Sequence, residues 1–217
     1  MSVPLKARIL LADDHVLVRE GLRLILDRQP DLEVVADAGD GAEAIERALR
    51  TDLDLAVLDV SMPRLTGLQA ARHLRAQRPQ VRVLILSMHD NEQFFFEALR
   101  AGASGYVLKA AAHEDLLRAC HAAMRGEPFL YPKGVAALVR EYLERGPEAV
   151  AADPLTLRES EVLKLIAESL TTREISAVLH IAEKTVERHR SNILEKLGLR
   201  DRVALTRYAI RRGLVEP

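Results

Sequence analysis

Five polar residues draw notice because each follows an apolar run. Asp13 and Asp14 follow Arg8–Ala12, Asp59 follows Leu53–Leu58, Ser87 follows Val81–Leu86 and Lys109 follows Gly105–Leu108. Three carboxylates gathered in one place repel each other, and burial raises the cost. A hard divalent cation relieves that repulsion, and an all-oxygen ligand set with retained waters suits Mg2+ best. Lys109 adds a second positive charge. A carboxylate can also accept a phosphoryl group as an acyl phosphate, a transfer ruled by positioning and charge neutralisation. In that chemistry the ion and Lys109 face the phosphoryl oxygens, and the Ser87 hydroxyl donates to one of them. Asp59 is the candidate acceptor because it stands alone, whereas the neighbours Asp13 and Asp14 look like a metal pair. Singly these residues say little, since an Asp at a strand end commonly caps the next helix. Together, at four strand ends, they describe one site.

The elements that must gather them are legible upstream and downstream. Strand-like runs at Arg8–Ala12, Leu32–Ala36, Leu53–Leu58, Val81–Leu86 and Gly105–Leu108 alternate with helical spacing at Val16–Leu26, Gly41–Leu49, Gly67–Ala76, Glu92–Ala101 and Glu114–Met124. Apolar strands without alternation, separated by helices, predict a parallel sheet covered on both faces. Right-handed crossovers make it a doubly wound α/β domain. Five βα units suit the flavodoxin-like order 2-1-3-4-5, which binds ligands at the carboxyl edge of its strands. The spacing places this domain at residues 5–126, closed by Gly126-Glu-Pro128. Residues 127–153 read as a linker holding one more helix near Val135–Leu143. The consecutive Phe94, Phe95 and Phe96 point about 100° apart on a helix, so at least one is expected to be partly exposed.

From Pro154 to Pro217 no strand pattern remains, and four short helices predict a compact all-α unit. Thr156 with Glu159, and Thr171 with Glu174, form two capping boxes. Gly198 and Gly213 supply left-handed helix stops. On the helix from Glu183 to Leu197, Val186, His189, Ile193 and Leu197 form one stripe, expected to be buried. His189 is then a hydrogen-bonded residue at the edge of the core rather than a metal ligand. The opposite face carries Lys184, Glu187, Arg188 and Ser191, side chains able to reach phosphates and base edges.

Bulk properties narrow the class. With 217 residues, 48% of them hydrophobic, the chain can bury two small cores. No apolar run approaches the roughly 18 residues of a membrane span, and Met1–Arg8 lacks a targeting core. One cysteine, Cys120, excludes an intrachain disulfide and fits a reducing, cytoplasmic setting. It lies in an Ala-rich helical pattern, as a small core residue would. The net charge of −1 is uneven: Pro154–Pro217 holds 12 Lys and Arg against 9 Asp and Glu, so the remainder is acidic. A basic tail on an acidic body is compatible with a nucleic-acid partner.

Leu10-Leu-Ala-Asp-Asp-His15, Leu58-Asp-Val-Ser-Met-Pro63 with Gly67, Leu86-Ser87 and Gly102-Ala-Ser-Gly-Tyr-Val-Leu-Lys109 resemble the receiver domains of two-component response regulators. That resemblance implies Asp59 as phospho-acceptor, Asp14 as direct Mg2+ ligand, Asp13 acting mainly through water, and the Ser61 carbonyl as a further ligand. It also implies Ser87 and Tyr106 as a coupled switch, a sensor histidine kinase as phosphodonor, and the capacity for self-dephosphorylation without enzyme status. Ala110 departs from the pattern, where many receivers have proline. Leu155-Thr-x-Arg-Glu-x-Glu-Val-Leu163, Glu174-Ile-Ser176, Lys184-Thr-Val-Glu-x-His189, Asn192-Ile193 and Lys196-Leu-Gly-Leu199 followed by Arg202 resemble the LuxR-type helix-turn-helix. The pair resembles the NarL/FixJ group of transcription regulators. It implies Lys184, Thr185, Asn192 and Arg202 on DNA phosphates, and Glu187, Arg188 and Ser191 on base edges of double-stranded promoter DNA. RNA polymerase and a second copy of the chain are the other implied partners, with no membrane. Ser169 stands where that pattern usually has glycine, and Ala182 where it has a capping serine. Two other classes fit the sequence less well. An Asp-nucleophile phosphatase of the haloacid dehalogenase type wants a second Asp two residues after the nucleophile, where this chain has Ser61. A vestigial, phosphate-independent module would not keep all five pocket residues.

Overall fold

The computed structural model describes residues 6–88, 90, 92–145, 154–212 and 214–215. They divide into two compact units, 1–151 and 152–217.

In the first unit the chain runs β1 (Ala7–Ala12), α1 (Val16–Asp27), β2 (Leu32–Ala38), α2 (Gly41–Arg50), β3 (Leu55–Asp59), α3 (Gly67–Gln77), β4 (Arg82–Ser87) and α4 (Glu92–Arg100). It continues through β5 (Gly105–Leu108), a 3-10 turn at Lys109–Ala111, α5 (Ala112–Met124), β6 (Phe129–Leu130) and α6 (Pro132–Arg145). The sheet order is β2-β1-β3-β4-β5-β6, and every pairing is parallel. Successive strand residues face opposite sides. Ile9, Leu11, Val57 and Leu84 therefore pack with Leu22 and Leu26 of α1 and Leu116 and Cys120 of α5. Leu10, Leu58, Val83 and Ile85 pack with α2, α3 and α4 through Ala48, Leu74 and Phe95. Burial on both faces is why these strands read as unbroken apolar runs. Cys120 lies inside this core, and burial pushes its thiol pKa up to about 12.

The sheet has the five expected strands in the expected order and one more. After a turn at Gly126, where φ is +77°, Phe129 and Leu130 pair in parallel with Gly105 and Tyr106. A two-residue strand has no periodicity to read, so sequence spacing ended the domain at Gly126–Pro128. Helix α6 then lies against α4, with Tyr131 and Leu138 packed into the same core as Phe95. Lys133 pairs with Asp90, and Arg140 with Glu92. Of the three consecutive phenylalanines, Phe94 and Phe95 are buried and Phe96 is half-buried, as helix geometry requires. Leu5 and linker residues 146–153 lie outside the described residues.

The second unit is helical: α7 (Leu157–Ala167), α8 (Thr172–Leu179), α9 (Glu183–Leu197) and α10 (Arg202–Arg211). Its core gathers Val162, Ile166, Ile175, Val186, Ile193 and Leu205. Both capping boxes form: Thr156 and Thr171 accept from the backbones of Glu159 and Glu174, whose carboxylates reach back. Gly198 ends α9 at φ +62°, while Gly213 lies outside the described residues. Two local weaknesses appear where the sequence departs from its pattern. Ser169 adopts φ +69°, a region unfavourable for a residue with a Cβ. Ala182 caps α9 without any side-chain bond.

Candidate acidic pocket and nucleic-acid interface

Parallel strands ending at one edge bring Asp13, Asp14, Asp59, Ser87 and Lys109 together, although they are spread over nearly a hundred positions. The Lys109 Nζ lies 2.7 Å from Asp13 Oδ2 and 2.9 Å from Asp59 Oδ2. Asp13 and Asp59 are buried, the latter 2% exposed. Burial raises the Asp59 pKa to about 6; the hydrogen bond and charge of Lys109 oppose the rise, while Asp13 and Asp14 add to it. Burial also pulls Lys109 down, but the two carboxylates outweigh it and hold its pKa above the ordinary value. The pocket thus holds a charged ammonium and more carboxylate than that ammonium neutralises.

Asp14 sits at the rim, with Oδ1 2.7 Å from Nδ1 of His15. One ligand atom from each of Asp13, Asp14, His15 and Asp59 falls within 4.8 Å of the others. Converging hard oxygens with surplus negative charge fit a divalent cation such as Mg2+. His15, quoted in the Leu10–His15 motif but not among the candidate ligands, also has a ring nitrogen in this cluster. Asp13 is fixed from two sides: its Oδ1 accepts from the His15 amide at 2.9 Å and its carbonyl from Arg19 at 2.6 Å. Ser61 lies in the β3–α3 turn, two residues past Asp59, and is half-buried. Gly67 closes that turn directly on the end of β3. A Cβ there would stand 2.0 Å from the Asp59 carbonyl oxygen, so only glycine fits.

Ser87 ends β4 and Tyr106 lies on β5, both fully buried. Burial pushes the Tyr106 phenol above its ordinary pKa, opposed by its hydrogen bond with Ser87. The Tyr106 ring meets Phe95 edge-on at 5.9 Å and Tyr131 at 5.7 Å. The hydroxyl pair therefore joins the acidic pocket to an aromatic cluster beneath α4.

On α9, Val186 and Ile193 are buried and His189 and Leu197 half-buried, as the stripe predicts. His189 is not hydrogen-bonded through Nδ1, however; burial, then the charge of Arg188, lowers its pKa. Lys184, Glu187, Arg188 and Ser191 are exposed, while Thr185 and Asn192 are half-buried. Residues spaced i, i+3, i+4 and i+7 share one helix face, so the first four form a continuous outward surface. Glu187 accepts from the Thr172 hydroxyl at 2.7 Å, a tie between α9 and α8 that the sequence did not reveal. Arg202 begins α10, and its Nη2 donates to the Ile166 and Leu170 carbonyls at 3.1 and 3.4 Å.

An acidic, lysine-bridged pocket on a parallel sheet, followed by a helix-turn-helix with an outward polar face, has the form of a DNA-binding signalling regulator. Comparison with known proteins agrees. Residues 9–121 match the family model described as "Response regulator receiver domain", and 153–209 match "Bacterial regulatory proteins, luxR family". The chain belongs to the two-component response regulators, in their NarL/FixJ group. It is 40% identical over 215 residues to "Oxygen regulatory protein NreC" of Staphylococcus aureus, covering 96% of this chain and 99% of that protein. A LuxR-family response regulator from Aurantimonas sp. is 38% identical, with a TM-score of 0.60 over 64% of this chain and 99% of its own. The RcsB response regulator of Salmonella typhimurium is 27% identical, with a TM-score of 0.63 over 96% of this chain and 98% of its own. The protein is a DNA-binding two-component response regulator, not a classical enzyme.

Proposed function

We propose that Asp59 is the phosphoryl acceptor and that its phosphorylation by a sensor histidine kinase promotes dimerisation and promoter binding in the cytoplasm. The observation that supports this most directly is the buried Lys109 ammonium bridging Asp13 and Asp59 at the carboxyl edge of the sheet. An Asp59 carboxylate oxygen attacks phosphorus, an acyl phosphate forms, and the bond from phosphorus to the donor atom breaks. Lys109 stays charged and turns toward the new phosphoryl oxygens. The Ser87 hydroxyl donates to one of them. Mg2+, held by Asp13, Asp14, Asp59 and the Ser61 carbonyl, supplies charge neutralisation when bound. Hydrolysis of the same acyl phosphate returns the protein to rest. A two-fold dimer presents two α9 helices to two half-sites. Lys184, Thr185, Asn192 and Arg202 take phosphates; Glu187, Arg188 and Ser191 face base edges; RNA polymerase reads the assembled complex.

The test is intact-mass measurement with Mg2+ and acetyl phosphate. The wild-type chain gains one phosphoryl group and Asp59→Asn none; uptake by the variant at the wild-type rate removes the assignment. Sedimentation with beryllofluoride tests the dimer. A chain that stays monomeric with the mimic, even on DNA bearing two half-sites, removes that part.

A further inference from the structure

A cavity of about 250 Å3 opens between α8, α9 and α10 of the helical unit. Its floor is apolar, with Ile175 and Val186, and its polar wall is Thr171, Thr172, Arg190 and Arg202. Among the described residues, two guanidiniums and no carboxylate line it. Arg202 already bonds the Ile166 and Leu170 carbonyls through Nη2. The Arg190 side chain is half-buried and, among the described residues, has no ion-pair or hydrogen-bond partner. A guanidinium partly removed from water without a counter-charge is costly, and its planar fork matches phosphate oxygens. The cavity has room for several waters' worth of volume, at about 30 Å3 each. Arg190 also follows Lys184 and Arg188 along the helix whose exposed face reads DNA.

We propose that Arg190, positioned beside Arg202, binds a phosphodiester of the DNA backbone in this cavity, adding an anchor off the base-reading face. The proposal rests on the DNA-binding reading of the helical unit. It is tested by titrating the full chain with its specific duplex and with random duplex across salt concentrations. Arg190→Ala weakens both duplexes about three- to tenfold and flattens the log–log salt slope by about 0.9, the loss of one phosphate contact. Arg190→Lys keeps most of the slope. An unchanged slope with Arg190→Ala, or a loss confined to the specific duplex, overturns the proposal. Inorganic phosphate binding the DNA-free chain at Arg190 while the slope stays unchanged would make free phosphate the ligand instead. Failure of the wild-type chain to bind any duplex would sink the DNA-binding reading itself.

A separate observation lies in the first unit. Tyr106 touches Tyr131, the residue immediately before α6, and both rings touch Phe95. Gly134 lets α6 seat there: a Cβ would fall 2.8 Å from Phe95 and 2.9 Å from Tyr131. The contacts run unbroken from Ser87 to the helix that leads out of the unit. We infer that α6 responds to phosphorylation, because any shift of Tyr106 after Ser87 moves is passed to Tyr131 and loosens or reseats the helix. This too rests on the phosphorylation reading. Hydrogen exchange of the full chain with and without beryllofluoride reads it. Protection of amides 131–140 changes several-fold in the wild type, and Tyr131→Leu abolishes that change while the segment after Ser87 still responds. Gly134→Ala, if it folds, shows α6 loosened without the mimic. An α6 indifferent to beryllofluoride while the segment after Ser87 responds overturns the inference. Silence in both segments overturns the phosphorylation reading with it.

Discussion

In the acidic pocket, Lys109 spans two carboxylates at under 3 Å, Asp13 is tied through its side chain and its carbonyl, and Gly67 lies directly against the Asp59 backbone. On α9, Lys184 and Arg188 stand in solvent with no ion-pair partner among the described residues. The two regions carry similar residue types and hold them in opposite ways. Group transfer needs charges fixed before the reaction, because preorganised groups do not reorient during it. Recognition needs groups left unsatisfied until the partner arrives, because groups already bonded gain little from a new contact. Buried pairing suits the proposed group transfer, and exposed readiness suits recognition of a partner.

The comparison breaks most visibly at Lys109. Lys109→Ala leaves Asp13 and Asp59 buried without their cation, which costs about 3–5 kcal/mol. Urea unfolding should show that loss in metal-free buffer and recover much of it with Mg2+, while the rate of acyl-phosphate formation falls about a hundredfold. A variant as stable as wild type would mean the pocket is not held by charge. Asp59→Asn acts in the other direction. The folded pKa of about 6 lies above the ordinary carboxylate value, so the native state binds the extra proton between the two. In metal-free buffer the wild type should lose stability as pH rises through 6, and Asp59→Asn should be more stable at pH 7 by about 2–3 kcal/mol. Parallel pH–stability curves for the two proteins would contradict this.

The exposed region yields smaller effects. Arg188→Ala should cost about 1–3 kcal/mol on the specific duplex and relax sequence preference, whereas Lys184→Ala should weaken specific and random duplex alike and flatten the salt slope. Equal losses on both duplexes for both variants would erase the division of labour along α9. Smallest is Ala182→Ser, which restores a cap to α9 and should stabilise the helical unit by about 1 kcal/mol, read from its thermal transition. No change in that transition would mean α9 does not need the cap.

The pocket was legible because topology, not contact, assembles it. Once β1, β3, β4 and β5 are recognised as parallel, Asp13, Asp59, Ser87 and Lys109 must share an edge. Helix α9 was legible because its buried stripe and polar face repeat at helical spacing. Strand β6, the seat of α6 on Phe95 and the tie from Thr172 to Glu187 were not. Each depends on a meeting between residues far apart in the chain, and two-residue strands or single hydroxyls leave no period. Arg202 shows the same limit: its type suggested phosphate, while its place beside the Ile166 carbonyl adds a role inside the fold.

The seating of Tyr131 and Gly134 on Phe95 also decides where this protein divides as a transferable part. A first unit cut after residue 126 would lack β6 and α6, uncovering the edge of β5 and the aromatic cluster around Phe95 and Tyr106. One cut after residue 145 would keep both seals. Hybrids that join this receiver to a foreign output are therefore expected to work when the joint falls in residues 146–153 and to aggregate when it falls at residue 126.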